Sequence, residues 1–212
     1  MSSSADSIQS ILASEHALFL TRVVSSLQTL GISLPPHYTI DHICYRTSTT
    51  AEYTRRKAEL AALGSTLLVE NDIGGRLIAC YKLRAEHALR WRQQCSSNNS
   101  SSSTDNNDAH AQGQGTFFVE RVIDVVELPA PKPGRLYPSG LEHVEVVVDD
   151  MSLEDFAARH PDVKFDWSGM KKPLNRDLRV DFRQGGGVET GGFSVKFHEQ
   201  TLEKVIEMEK AM

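Results

Sequence analysis

The sequence predicts an α+β fold in which two βαβββ modules share one curved mixed sheet. Helices cover its outer face, and a further helix precedes both modules. The first observation is a duplicated segment: residues 40–46 and 141–148 both run apolar, acidic, histidine, apolar into a strand-like stretch. The second is spacing. Residues 42 and 127, near the two ends of the first module, are 85 positions apart, and this separation falls to 62 when the 23 polar residues of 93–115 are left out. Residues 143 and 198, the equivalent positions of the second module, are 55 apart. A motif repeated at similar spacing indicates a duplicated module.

Length and composition are those of an ordinary globular protein. The chain has 212 residues, of which 40% are hydrophobic and 24% charged, with a net charge of −5 and a pI near 5.9. An acidic balance with scattered Lys and Arg argues against a nucleic-acid-binding surface. The chain has three cysteines without CxxC spacing, and it shows neither a secretory signal nor an apolar run of membrane length. We therefore expect a cytoplasmic protein with no nucleic-acid or membrane partner.

The leading segment, residues 1–36, is predicted to be an N-terminal helical extension. Its apolar residues recur at helical spacing, and Gly31 is a suitable residue to end the helix. Pro35 and Pro36 then separate this helix from the first strand.

The first module is predicted over residues 37–128. It begins with a strand at 39–47, and Thr49 with Glu52 forms a capping box for the helix that follows. A hairpin around Gly74 and Gly75 comes next, since paired glycines supply the positive φ of such turns.

The rest of this module has an unusual composition. Residues 83–91 are predicted to form a short helix, and residues 117–128 a strand. Between them, residues 93–115 consist largely of Ser, Asn, Gln and Gly, too polar to offset the entropy of ordering. We expect a disordered low-complexity insertion there.

The second module is predicted over residues 141–212, after a Pro-rich linker at 129–140. Its helix begins near Ser152. The remaining elements are strands at 142–148, 163–167, 178–182 and 192–198, and a terminal helix at 201–212.

Alternation along the strands separates two kinds of face. His42, Cys44 and Arg46 share a face of the first strand, and His143 shares one with Glu145 in the second module. The opposite faces are strongly apolar and suit covering helices. A curved sheet whose concave face lines a polar cavity explains the repeated histidines better than a solvated face does.

Several short stretches, taken in order and spacing, resemble the bacterial YecM family and, more widely, the vicinal oxygen chelate superfamily of glyoxalases, extradiol dioxygenases and bleomycin-resistance proteins. The resemblance covers roughly residues 8–209 apart from the insertion. The stretches that carry it are 41–43 with Arg46, 75–76, 81–83, 126–129, 137–138, 142–145, 174–175 and 196–198.

The resemblance implies a cupped, barrel-like sheet that holds a metal ion between the two modules. Carried over by position, the ligands are His42 and Glu127 from one module and His143 and His198 from the other. Three imidazoles and a carboxylate suit Zn²⁺, Ni²⁺, Fe²⁺ or Mn²⁺, and affinity order does not choose among them.

Further polar residues are candidates for catalysis and substrate binding. Glu145 lies two residues from His143 on the same face, as a general base would. Basic side chains that could hold an anionic substrate are Arg46, Arg76, Lys82 and Lys196. Asn175 is added by the resemblance alone, and we interpret Cys44 as a small core residue.

Two functions compete at this point. The first is a metal-dependent isomerase, lyase or dioxygenase acting on a small oxygenated molecule, anionic ones included. The second is a non-catalytic module that uses the same cup to bind or sequester a small ligand. A scaffold with an incidental histidine pair is a weaker third hypothesis. Monomer and homodimer are both compatible with the sequence.

Overall fold

A computed structural model describes residues 6–96, 116–182 and 192–211. Its helices are α1 Ile8–Thr29, α2 Thr50–Ala62, α3 Leu153–Ala158 and α4 Leu202–Lys210. Its strands are β1 Thr39–Arg46, β2 Thr66–Asp72, β3 Leu77–Lys82, β4 Leu89–Ser96, β5 Thr116–Ile123, β6 Val125–Pro129, β7 Gly140–Val147, β8 Leu178–Asp181 and β9 Ser194–His198.

The predicted N-terminal helix is confirmed as α1. Ser7 caps it by accepting a hydrogen bond from the backbone N–H of Ser10. The helix ends at Leu30, and Gly31 follows with a φ of 73°. Glycine adopts this left-handed conformation without the steric cost of a Cβ atom, so it ends the helix as expected.

Seven strands form one mixed sheet in the order β2-β3-β6-β1-β7-β9-β8. The first module supplies β1, α2, β2, β3 and β6, which is the predicted βαβββ arrangement. Within it β1 runs parallel to β6, and β3 pairs antiparallel with both β2 and β6. The two modules meet where β1 pairs antiparallel with β7.

The second module follows the same path with one strand fewer. β9 runs parallel to β7, and β8 pairs antiparallel with β9. The strand predicted at 163–167 is reduced to a single bridge between Asp166 and Arg179. Val163 and Phe165 are nevertheless buried, so their apolar character reflects packing in the core and not a strand ladder.

The stretch predicted as one strand at 117–128 is two strands in different sheets. It breaks at Asp124, whose carbonyl accepts a hydrogen bond from the Leu83 N–H at 2.6 Å. β5 pairs antiparallel with β4 in a separate two-stranded sheet, and β6 belongs to the main sheet. Because the residues on both sides of the break are apolar, the hydrophobic periodicity of the sequence does not reveal it.

The prediction for 83–91 was also wrong in part. Only Ala85–His87 forms a 3₁₀ turn, and β4 begins directly afterwards. β4 continues through Gln93 to Ser96, so this strand extends four residues into the predicted insertion. The remaining residues of that insertion, 97–115, lie outside the described chain.

The apolar face of the sheet packs against helices, as predicted. Phe156 of α3 lies 4.6 Å from Phe197 of β9, and Phe19 of α1 lies 5.8 Å from Phe193, measured between ring centroids. Aromatic side chains of this size contribute much of a core's apolar burial. Across the described residues, no helix has both the length and the apolar character of a membrane span.

A buried arginine attaches the small sheet to the N-terminal segment. The guanidinium of Arg121 on β5 donates hydrogen bonds to the Gln93 side chain and to several backbone carbonyls of the segment before β1. Those carbonyls belong to Leu34, Pro35, Pro36 and Tyr38. Arg121 is 5% exposed, so these acceptors have few alternatives in water.

Arg121→Met is expected to lower the free energy of unfolding by about 3 kcal/mol, because it leaves buried carbonyls without donors. Urea unfolding followed by circular dichroism measures this. The control is Arg90→Met, which removes an ion pair with Glu120 whose side chains are more than half exposed. That change is expected to cost under about 1 kcal/mol. Equal unfolding midpoints for the two variants would contradict the role of Arg121.

Candidate metal centre

The strand register places the polar residues of the sheet in two adjacent rows. In one row Cys44 of β1 lies between Glu127 of β6 and His143 of β7. In the next row His42 lies opposite Glu145. Because these strands are neighbours at the centre of the sheet, side chains far apart in sequence converge on one face.

Four of these side chains form what we call the ligand cluster: His42, Glu127, His143 and Glu145. Each offers one ligand atom, and these atoms all lie within 4.8 Å of one another. Nε2 of His42 is 3.4 Å from Glu145 Oε1 and 3.8 Å from Glu127 Oε2. Nε2 of His143 is 3.5 Å from an oxygen of each glutamate. None of the four side chains is more than 12% exposed.

This cluster has the features of a metal site. Among the described residues, His42 Nε2 is a buried polar atom without a hydrogen-bond partner. Imidazole nitrogens and carboxylate oxygens are the donors that Zn²⁺ and similar ions take in proteins. Two ionised carboxylates buried side by side also require compensating positive charge. The residues present therefore fit a divalent ion.

The predicted ligand set and the observed cluster differ in one member. Glu145, predicted as a general base, lies within the cluster. His198, predicted as the fourth ligand, lies behind it, with Nε2 at 2.6 Å from Glu145 Oε2. The structure thus brings His42, Glu127 and His143 together as expected. His198 lies outside this group and contacts Glu145, which is a member of the cluster.

Lys196 places a cation in direct contact with the ligand cluster. Its register partner across the sheet is Glu145. Its ammonium forms an ion pair with Glu145 and lies 3.3 Å from Nε2 of His143. Lys196, one of the basic residues predicted to bind substrate, therefore contacts two members of the cluster.

The cluster shifts the pKa values of its members strongly. Burial alone would lower the pKa of His42, but the charge of Glu145 and the hydrogen bond to Asp41 outweigh it and raise that pKa to about 10. Burial would raise the pKa of Glu145, yet the positive charges of Lys196, His42 and His198 hold it well below its usual range. Without metal, His42 is therefore an imidazolium beside an ionised Glu145.

Charges act on the remaining members in the same way. The pKa of Glu127 is lowered, because His143 and Lys196 together outweigh the effect of burial. The pKa of Lys196 is raised despite burial, owing to Glu145 and Glu127. Burial and the nearby Lys196 charge lower the pKa of His143, so its imidazole is neutral at neutral pH.

Two β-bulges, which strict alternation does not predict, place acids beside the histidines. In the pairing of β1 with β7, Asp41 is the extra residue between Ile40 and His42, and Glu142 is the extra residue on β7. A bulge re-aims a side chain that would otherwise face the opposite side. Asp41 Oδ2 consequently reaches His42 Nδ1 at 2.8 Å. The duplicated acid–histidine motif was the sequence signal for these contacts, although neither acid was assigned to the site.

The other predicted substrate residues lie outside the cluster. Arg46 forms an ion pair with Glu142 and stacks over Tyr137, 4.5 Å from the ring centroid. Lys82 forms ion pairs with Asp124 at 3.0 Å and Glu203 at 2.6 Å.

Arg76 and Asn175 have different surroundings. The backbone carbonyl of Arg76 closes the β2–β3 turn by accepting from Ile73. Asn175 has a positive φ of 49° and lines a pocket of about 190 Å³ beside α4, together with Arg176 and Glu199. Cys44 is fully buried, in agreement with a core position.

Solved structures are similar to this fold. Protein EC4020, a structural genomics target, matches over 95% of each chain at 23% identity with a TM-score of 0.52. Methylmalonyl-CoA epimerase from Mycobacterium tuberculosis matches at 11% identity over 76% of this chain and 86% of that chain, with a TM-score of 0.41. Hypothetical protein BH1468 from Bacillus halodurans C-125 matches at 14% identity over 78% and 96%, with a TM-score of 0.39. No curated protein matches the sequence.

The likeness to Protein EC4020 supports the fold alone. The paired modules, joined through their first strands, confirm the predicted arrangement of the fold. The model of one protein family, described as YecM protein, matches residues 9–209. Because this match spans nearly the whole chain, the protein belongs to the YecM family, as its motifs indicated.

Proposed function

We propose that this protein is a divalent-metal-dependent enzyme of the isomerase, lyase or dioxygenase class that acts on a small oxygenated molecule. The observation that carries the proposal is the buried ligand cluster, in which two imidazoles and two carboxylates each direct one ligand atom to a common point, all within 4.8 Å of one another. Nε2 of His42 lies 3.4 Å and 3.8 Å from the two carboxylates, which leaves room for an ion between them.

In this proposal His42, Glu127, His143 and Glu145 hold the ion. When bound, a divalent ion polarises a substrate oxygen and stabilises the negative charge of an enolate or enediolate. These four residues do not select one ion, since Zn²⁺, Ni²⁺, Fe²⁺ and Mn²⁺ all accept this mixture of nitrogen and oxygen donors.

Proton abstraction is assigned to Glu145, and His198 is assigned the role of a positioning residue. Oε1 of Glu145 faces the cluster and Oε2 faces His198, so the two oxygens have separate roles. A carboxylate with a depressed pKa is a weak base by itself. Nε2 of His198, at 2.6 Å from Oε2, holds the carboxylate with Oε1 towards the cluster, where Oε1 would take a proton from a substrate carbon.

Lys196 would contribute to recognition of an anionic substrate. Its ammonium contacts two members of the cluster, and charge-assisted contacts to carboxylate or phosphate are strong in buried sites. Lys82 is less suited, because it forms ion pairs with Asp124 and Glu203. Arg46 and Arg76 remain candidate substrate contacts. Asn175 remains a candidate substrate contact through the pocket beside α4.

Elemental analysis of the purified, untagged protein tests the proposal. We expect about one Zn, Ni, Fe or Mn per chain in the wild type and loss of that metal in His42→Ala/His143→Ala, with the helical content retained by circular dichroism. The control is His37→Ala/His87→Ala. It also disrupts the exposed His37–Asp149–Asp150 group, whose ligand atoms likewise lie within 4.8 Å of one another.

No metal in the wild type, even after reconstitution, would overturn the proposal. A small-ligand-binding module would then be the better interpretation, and ligand binding that survives chelation by EDTA would identify it. If the control variant loses the metal instead, the metal binds at the exposed group and not at the ligand cluster.

Metal affinity is expected to rise with pH by about tenfold per unit between pH 7 and 8.5. His42 must lose a proton to bind through Nε2, and its pKa of about 10 means that it is protonated throughout this range. The glutamates are already ionised and His143 already neutral, so one proton is released. Competition with a chelator of known proton affinity measures the slope. A flat profile would show that His42 is not a ligand.

Lys196→Met is expected to tighten metal binding more than tenfold. The substitution removes a positive charge that contacts two members of the ligand cluster and opposes a divalent ion at the same place. Lys82→Met is the matched control, since Lys82 pairs with Asp124 and Glu203 away from the cluster. Equal affinities for the two variants, from the same competition titration, would count against a metal at the cluster.

A further inference from the structure

The acids of the duplicated acid–histidine motif, Asp41 and Glu142, are not members of the ligand cluster. Asp41 and Glu142 both precede a cluster histidine, and both sit at bulges. We propose that Asp41 is a positioning residue that fixes the His42 ring with Nε2 towards the cluster, and that the first backbone N–H of α4 holds Asp41 in place. This inference rests on the proposed metal-dependent function and deepens it.

One oxygen of Asp41 connects the two partners. Oδ2 lies 2.8 Å from His42 Nδ1 and accepts a hydrogen bond from the Leu202 N–H at 3.1 Å. The Asp41 side chain is only 9% exposed, so water competes little for these contacts. Turning the His42 ring over would break the contact with Asp41 and direct Nε2 away from the glutamates. A carboxylate behind a histidine fixes both its orientation and the nitrogen that binds the metal.

The N-terminus of α4 is suited to hold a carboxylate. Leu202 is the first residue of the helix, and its N–H is one of those that no helical carbonyl can satisfy. Thr201 caps the helix by accepting from Lys204, which leaves the Leu202 N–H for Asp41. The partial positive charge of a helix N-terminus adds to this attraction.

Two further contacts fix α4 against the sheet. Val205 and Ile206 are buried, and Glu203 forms an ion pair with Lys82 of β3. The helix is therefore an anchored support for Asp41, and the C-terminal element of the chain is coupled to the first strand of the other module.

Glu142 does not hold His143 in the same way, although it occupies the equivalent position. Its Oε2 is 3.6 Å from His143 Nδ1, and the carboxylate is bound to Arg46. The repeat thus supplies an internal control: removing the charge of Glu142 disturbs an acid at the same motif position without releasing a cluster histidine.

The first experiment compares Zn²⁺ affinity of Asp41→Asn with that of Glu142→Gln by chelator competition. We expect Asp41→Asn to weaken binding by about 10- to 100-fold, the usual effect of losing such a partner. Glu142→Gln is expected to weaken it by less than about threefold, the loss of a long contact. The Nδ1 proton of His42, followed by NMR in the zinc-loaded protein, should move upfield in Asp41→Asn only. A loss of general stability would not move this resonance selectively.

A second pair of variants tests the role of α4 without changing Asp41. Leu202→Pro removes the N–H donor at the first helical position, where proline is well tolerated. Thr201 already has the extended conformation that a following proline requires, with φ −68° and ψ 153°. Leu202→Ala keeps the N–H and removes most of the side chain. We expect Leu202→Pro to weaken Zn²⁺ binding about threefold or more, and Leu202→Ala to stay within about twofold of the wild type.

The outcomes separate this inference from the proposed function. If the wild type binds Zn²⁺ through His42 and His143 but Asp41→Asn binds equally well, Asp41 is not a positioning residue and the metal centre stands. If the wild type binds no metal, the proposed function itself fails. If Asp41→Asn does not fold, the comparison of Leu202→Pro with Leu202→Ala decides, and equal affinities for that pair overturn the inference.

Discussion

The antiparallel pairing of β1 with β7 joins the two modules, and the geometry of the ligand cluster depends on it. This pairing sets His42 opposite Glu145 and Cys44 opposite His143, so residues about one hundred positions apart become neighbours. β6 and β9 then flank the pair in parallel and add Glu127, Lys196 and His198. A shift of one residue in this register would turn every one of these side chains to the apolar face.

Burial of like charges imposes the second constraint. Glu127 and Glu145 are both ionised on a face with little access to water, an arrangement that is unfavourable unless cations lie close by. Without metal, protonated His42 and Lys196 supply that charge. A divalent ion would replace the proton of His42 and compete with Lys196, which is why metal binding, proton release and the position of this lysine are linked.

The bulges explain how a strand can present a ligand and its supporting acid on one side. Adjacent residues of a regular strand face opposite ways, and Asp41 would then point into the apolar layer. The extra residue at the bulge avoids this and lets the carboxylate bridge His42 and the N-terminus of α4. At the equivalent bulge, Glu142 forms an ion pair with Arg46 instead, so the two copies of the motif differ in their contacts.

Local patterns were sufficient for some elements and not for others. Helical spacing and caps predicted α1 and α2 closely, because a helix is stabilised by contacts within one segment. The break at Asp124 and the strand through Gln93 were missed. Both depend on distant partners: a backbone bond to Leu83, and Arg121 linking Gln93 to the segment before β1. Likewise, buried residues at 163–165 resembled a strand although they only pack in the core.

By itself, the sequence determined the family, the two modules, and three members of the ligand cluster, His42, Glu127 and His143. The modules follow from the repeated motif and its spacing, which can be read along the chain, whereas the three cluster residues were predicted by position from the family resemblance. Tertiary structure alone decided that Glu145 joins the cluster, that His198 lies behind it and that Asp41 supports His42. The reason is physical: these positions depend on strand register and bulges across the module boundary, and no local propensity specifies which residues of two distant strands will pair.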